Sequence, residues 1–187
     1  MTRLSTRALG VLFSLATLLA PGLAAAQKPG APRPDDIGKE LREAFLSKPL
    51  REWGITRTPE YPAVAAVGTD YAIDDKIVTV VSLADGSSSI YTTTTLGVIG
   101  GGGNTSTHRA AQRVVALAQP FFGDATPATT FPYPTGTKVR FYLRGYDGVR
   151  WIEADWAALE AGDRLTPLFA AVQDLVSELL ATKPSPP

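Results

Sequence analysis

The residues best equipped for chemistry lie in Gly97-Val98-Ile99-Gly100-Gly101-Gly102-Gly103-Asn104-Thr105-Ser106-Thr107-His108-Arg109, which reads as a strand, a glycine loop and a helix start. Such a loop can aim free backbone N–H groups at an anion, and the helix dipole and hydroxyls add to the pull. Gly100, Gly101, Gly102, Gly103, Ser106, Thr107, His108 and Arg109 are therefore the candidate ligand-binding residues. The Walker pattern needs a Lys before the Ser or Thr, and Thr105-Ser106 has none. The dinucleotide fingerprint fails as well, with Thr105 where its third glycine belongs. The competing reading is a tight reversal that uses glycine for its torsional freedom.

His108 is the only histidine. A small hydrolase would use it as general base with Ser106 or Thr105 as nucleophile. No Gly-x-Ser-x-Gly elbow occurs and no orienting carboxylate can be placed, so no catalytic residue is assigned. One histidine without cysteine excludes a typical zinc site. Asp70, Asp74 and Asp75 offer oxygen ligands for calcium but lack EF-hand spacing, and they read as a solvated turn between two strands. No metal and no cofactor is expected. Glu153 and Asp155, near Trp151 and Trp156, raise a glycan-cleaving alternative against that of solvated strand-end acids beside core or rim tryptophans. Arg140, Tyr142, Arg144 and, in the next strand, Arg150 form a candidate basic face for an acidic partner.

The elements that hold these residues follow from spacing. Ile37, Leu41 and Phe45 recur at intervals of four behind a capping Asp36, and Pro49 ends that first helix. Ala63 to Val67, Ile77 to Leu83 and Ser89 to Ile99 are rich in β-branched residues and predict strands, with Asp85-Gly86 turning the second into the third. Thr92 to Thr95 suit an ordinary strand; on an open edge they would allow another chain to add a strand. A second helix runs from about Ser106 to Gln119 and is followed by a polar loop from Gly123 to Gly136. Val139, Phe141 and Leu143 alternate with Arg140, Tyr142 and Arg144, a half-buried strand that turns at Tyr146-Asp147-Gly148 into a partner from Val149 to Ala154. Thr166 and Pro167 open the last helix, whose apolar residues run from Leu168 to Leu180. The fold class is α+β, a mostly antiparallel sheet of about five strands covered by three helices. This order of elements is similar to that of profilin-like and roadblock-like modules, and the resemblance, carried by no motif residue, implies a fold and no ligand.

Composition bounds the rest. The chain has 187 residues, 44% hydrophobic and 19% charged, which makes it globular. Its formal charge is zero, or −2 once Arg3 and Arg7 leave with a leader, so nucleic acid is not an expected partner. Arg3 and Arg7, an apolar run from Ala8 to Ala20 and Ala24-Ala25-Ala26 are the three parts of a secretory signal. The run is too short to span a bilayer, and without cysteine no lipid anchor forms at the cleavage site. The expected organisation is a signal peptide over 1–26, a flexible linker over 27–34, one domain over 35–182 and a tail over 183–187. The expected product is a periplasmic or secreted bacterial protein that binds without catalysing, its partner another exported protein or a small anion. A small-molecule receptor using the glycine loop and a hydrolase using His108 are the alternatives.

Overall fold

The computed structural model describes residues 34–94, 97–99 and 103–181, with side chains from 37 onward. The leader, most of the linker, the tail, and Gly100, Gly101 and Gly102 lie outside the described residues. Helix α1 (Pro34–Ser47) leads through a 3-10 turn (Leu50–Trp53) to the strands β1 (Val64–Ile73), β2 (Lys76–Leu83) and β3 (Ser88–Thr92). Helix α2 (Thr105–Ala118) follows, then β4 (Thr126–Ala128), β5 (Lys138–Gly145) and β6 (Gly148–Asp155), the short α3 (Trp156–Glu160) and the long α4 (Thr166–Ala181). The strands form one antiparallel six-stranded sheet in the order β3-β2-β1-β5-β6-β4, packed with the three main helices α1, α2 and α4.

The α+β class and the antiparallel sheet follow the sequence pattern, but the third strand ends at Thr92 instead of Ile99, the first helix begins at Pro34 so that Asp36 lies inside it, and two further details differ. Thr126-Pro127-Ala128 pairs with β6 as a sixth strand inside the expected polar loop. Proline at that place is compatible with an edge strand, where one side needs no N–H donor. Strand β1 continues past Val67 to Ile73, so Asp70 sits inside a strand, and the two-residue turn is Asp74-Asp75, with Asp74 at φ 54°. Asp tolerates this left-handed torsion better than most side chains.

Both faces of the sheet are buried. On one face Val67, Tyr71, Val80, Val139, Phe141 and Leu143 meet Val114 and Val115 of α2 and Leu168, Val172 and Leu175 of α4. On the other, Val81, Tyr91 and Tyr142 meet Phe45 and Leu46 of α1, Leu50 and Ile55. The alternation in β5 is therefore not a division between core and solvent. Its polar set, Arg140, Tyr142 and Arg144, points into the layer beneath α1.

Candidate functional site

Antiparallel register decides what each arginine of β5 meets, because residues paired across strands project to the same face with Cβ atoms roughly 5 Å apart. Arg140 is flanked by Asp70 of β1 and Glu153 of β6. Its guanidinium forks onto Glu153, Nε at 2.9 Å and Nη2 at 2.7 Å from Oε2, while Lys138 Nζ takes Oε1 at 2.6 Å. Burial alone would raise the Glu153 carboxyl, but the hydrogen bonds and charges of Lys138 and Arg140 outweigh it and hold the group below the usual range. A carboxylate so held is ionised and bonded, unsuited to donating a proton to a glycosidic oxygen.

Beside it lies a second ion pair that the spacing of residues does not announce. Asp70 is 1% exposed. Its Oδ2 accepts from Arg42 Nε at 2.8 Å and Nη2 at 2.6 Å, and its Oδ1 accepts from the Thr79 hydroxyl at 2.7 Å. Burial pushes the Asp70 carboxyl above its usual range, and the charge and hydrogen bonds of Arg42 and the Thr79 hydroxyl, all of them donors, oppose that rise. Arg42 also donates to the Phe131 carbonyl at 2.9 Å and stacks 4.1 Å from the Tyr133 ring centre. Burial by itself would lower the Arg42 pKa, but the charge and hydrogen bonds of Asp70 hold it above the ordinary guanidinium value.

Arg144, one repeat of four along β5, has no such partner. Its cross-strand neighbours are Ala66 and Val149. The side chain is buried, with the residue 5% exposed, and among the described residues its hydrogen bonds go to the carbonyls of Phe45 and Lys48 at the end of α1, the latter from Nη2 at 2.5 Å. Among the same residues Nε has no hydrogen-bond partner and is itself sealed from solvent. The guanidinium lies 5.4 Å from the Phe45 ring centre and 5.8 Å from that of Trp53. Burial without a carboxylate drives its pKa down to about 10, which leaves it cationic at neutral pH. Isolated buried charge is among the more expensive arrangements in a protein. The C-terminal carbonyls of α1 offer about half a negative charge, so about half of the guanidinium charge stays uncompensated.

Arg144 opens onto a cleft of about 530 Å³. Leu46, Pro49, Leu50, Ile55, Phe131 and Val149 give it apolar walls, with Ser47, Arg51 and Tyr146 also lining it. Arg51 is exposed, and the Tyr146 hydroxyl is engaged with the carbonyls of Tyr61 at 3.0 Å and Thr56 at 3.2 Å. A volume of this size with one converging polar group matches what small-ligand sites require.

The other residues singled out in the sequence fall in separate places. Arg150 pairs with Leu143, so it projects to the opposite face from Arg140, Tyr142 and Arg144, where it donates to the Ala125 carbonyl at 3.0 Å and lies over Phe122. The four residues do not form one exposed basic face. Tyr142 is buried and donates to the Pro132 carbonyl at 2.5 Å. At the start of α2, Asn104 Oδ1 accepts the Ser106 N–H at 2.9 Å, taking up a donor that an anion would use. The Ser106 hydroxyl lies 2.5 Å from Glu178 Oε2 and 2.9 Å from Asn104 Oδ1. Thr107 is fully buried, Arg109 is exposed, and Gly103 has open space where a side chain would stand. The His108 ring packs on the β2–β3 turn at Gly86, whose φ of 83° and contact with the imidazole leave no room for a Cβ. His108 and Ser106 thus turn to different neighbours.

Among the described residues no three His, Cys, Asp or Glu side chains gather as a metal site, and Asp74 and Asp75 are exposed while Asp70 is paired with Arg42. No helix among them is long and apolar enough to cross a membrane. Strand β3 is a sheet edge, and Val98 bonds back to Ile90 in both directions at 2.9 Å, so part of that edge is occupied. No protein-family model, curated protein or solved structure matches the chain.

Proposed function

We propose that this chain is an exported binding module without catalytic activity, and that the anion it takes is held by Arg144 in the cleft between α1 and the β5–β6 hairpin. One observation carries the reading: Arg144, buried and with no acidic neighbour in either adjoining strand, lines the cleft. A buried cation without a counter-charge is destabilising in the empty protein, and an anion in the cleft would offset it. The Ser106–Glu178 contact and the packing of His108 on Gly86 support binding over hydrolysis, since neither side chain is presented to the other as base and nucleophile. The leader, with Arg3 and Arg7 before an apolar run, supports export.

The test begins with the protein recovered from the periplasm of a Gram-negative host, expected to start at Gln27. Its melting temperature is then followed against small carboxylates and inorganic phosphate, with chloride at equal ionic strength as the control. At least one anion should raise the midpoint, with the rise absent in Arg144→Gln. Equal behaviour of the two proteins with every anion removes the reading.

A further inference from the structure

The walls and charge of the same cleft define its ligand more closely. Resting on the assignment of Arg144 as the anion site, we infer that the ligand is a monocarboxylate with an apolar body, its carboxylate on Arg144 and its hydrocarbon or aromatic part against Leu50, Ile55, Phe131 and Val149.

Three observations select this class. The first is the charge available. After the α1 carbonyls have offset about half of the guanidinium, the remainder suits a single negative charge, while phosphate monoesters bring about −1.5 to −2 at neutral pH. Arg51 adds a further cation at the edge of the cleft, but it is exposed, where water and salt screen its charge. The second is the polarity of the helix end. Phosphate sites commonly use the N–H groups of a helix N-terminus, and here a C-terminus presents the carbonyls of Phe45 and Lys48, which would repel the outer oxygens of a phosphate. The third is the lining, in which Leu50, Ile55, Phe131 and Val149 offer apolar surface to a molecule of several carbons beside the polar Ser47, Arg51 and Tyr146. A bare anion such as acetate would leave that surface wet.

Val149 provides a test independent of deleting the arginine. It stands directly across from Arg144 in the β5–β6 register and lines the cleft, so Val149→Glu places an internal carboxylate beside the guanidinium. This variant should melt at least as high as the parent and should bind hexanoate at least tenfold more weakly.

The measurement is titration calorimetry on the protein spanning residues 27–187 with hexanoate, acetate, inorganic phosphate and hexylamine. Each fully buried methylene strengthens binding about fourfold, so four extra methylenes, even partly buried, should give hexanoate at least a tenfold advantage over acetate. Hexanoate should also exceed phosphate, and hexylamine, with the same tail and opposite charge, should not bind. Phosphate binding as tight as hexanoate, or no gain from acetate to hexanoate, overturns the carboxylate class while Arg144-dependent anion binding stands. Hexylamine binding as well as hexanoate, or unchanged hexanoate binding in Val149→Glu, also overturns it. If no anion binds in an Arg144-dependent way, the class and the underlying assignment fall together.

Discussion

At the scale of single residues, two arginines between α1 and the sheet are held in opposite ways. Arg42 meets Asp70 through a two-pronged contact in which both groups are nearly excluded from water. Removing one partner of such a pair leaves a bare buried charge and costs about 3–5 kcal/mol, whereas replacing both by apolar groups of similar volume is often neutral. Asp70→Asn should accordingly lower the midpoint of thermal unfolding by roughly 10 °C, and the double change Arg42→Met with Asp70→Leu should recover most of that loss. Circular dichroism melts of the three proteins decide it; a double variant no better than the single one would show that Arg42 is not what Asp70 stabilises. Arg144 has the reverse signature. Its depressed pKa means that the unfolded chain holds the proton more tightly, so below about pH 10 the charge works against folding until an anion arrives.

Among the elements, the β5–β6 hairpin does most to set the local electrostatics, since register sets Arg140 across from Glu153, with Lys138 reaching the same carboxylate, and gives Arg144 no acid. Glu153 is held below its ordinary 4.5, so its contribution is complete above that pH and disappears as the pH falls through the lower folded value. Glu153→Gln should therefore destabilise the protein by about 2 kcal/mol at pH 7, and urea melts of the two proteins should converge below pH 4. A gap that persists unchanged at low pH would trace the loss to packing. The existence of this hairpin was legible from the alternation of Val139, Phe141 and Leu143 with Arg140, Tyr142 and Arg144, as were the three main helices from their spacing. What covers the second face was not. Period two in a strand states which residues share a side, and only tertiary packing states whether that side meets water or a helix. Asp70 shows the same gap: Asp74 and Asp75 turn the chain as their type suggests, while Asp70 is drawn into the interior by Arg42, 28 positions earlier. The cleft was equally hidden, because its residues come from three separated segments, 46–55, 128–131 and 144–149, and the feature that marks it is an acid missing from positions 66 and 149.

For the molecule as a whole, the sheet is a wall between two layers of unequal strength. Helices α2 and α4 pack on each other and on the sheet through the larger apolar cluster, which gathers the strands' Val, Tyr and Phe residues around Leu168, Val172 and Leu175. Helix α1 is alone on its side, fastened by Phe45 and Leu46, by the Arg42–Asp70 pair and by Arg144 on its last carbonyls. Local opening follows the amount of apolar contact that must be given up, so α1 should open at lower free energy than the opposite pair. The proposed ligand would sit between the end of α1 and the β5–β6 hairpin, and anything that binds only the closed form raises the free energy of opening in proportion to its saturation. Amide hydrogen exchange in the free protein should thus be faster over residues 37–48 than over 168–179. Saturating hexanoate should slow it at 37–48 and leave 168–179 unchanged. Uniform slowing across both helices would mean that the ligand stabilises the domain only globally, and slowing confined to α4 would place its seat on the other side of the sheet.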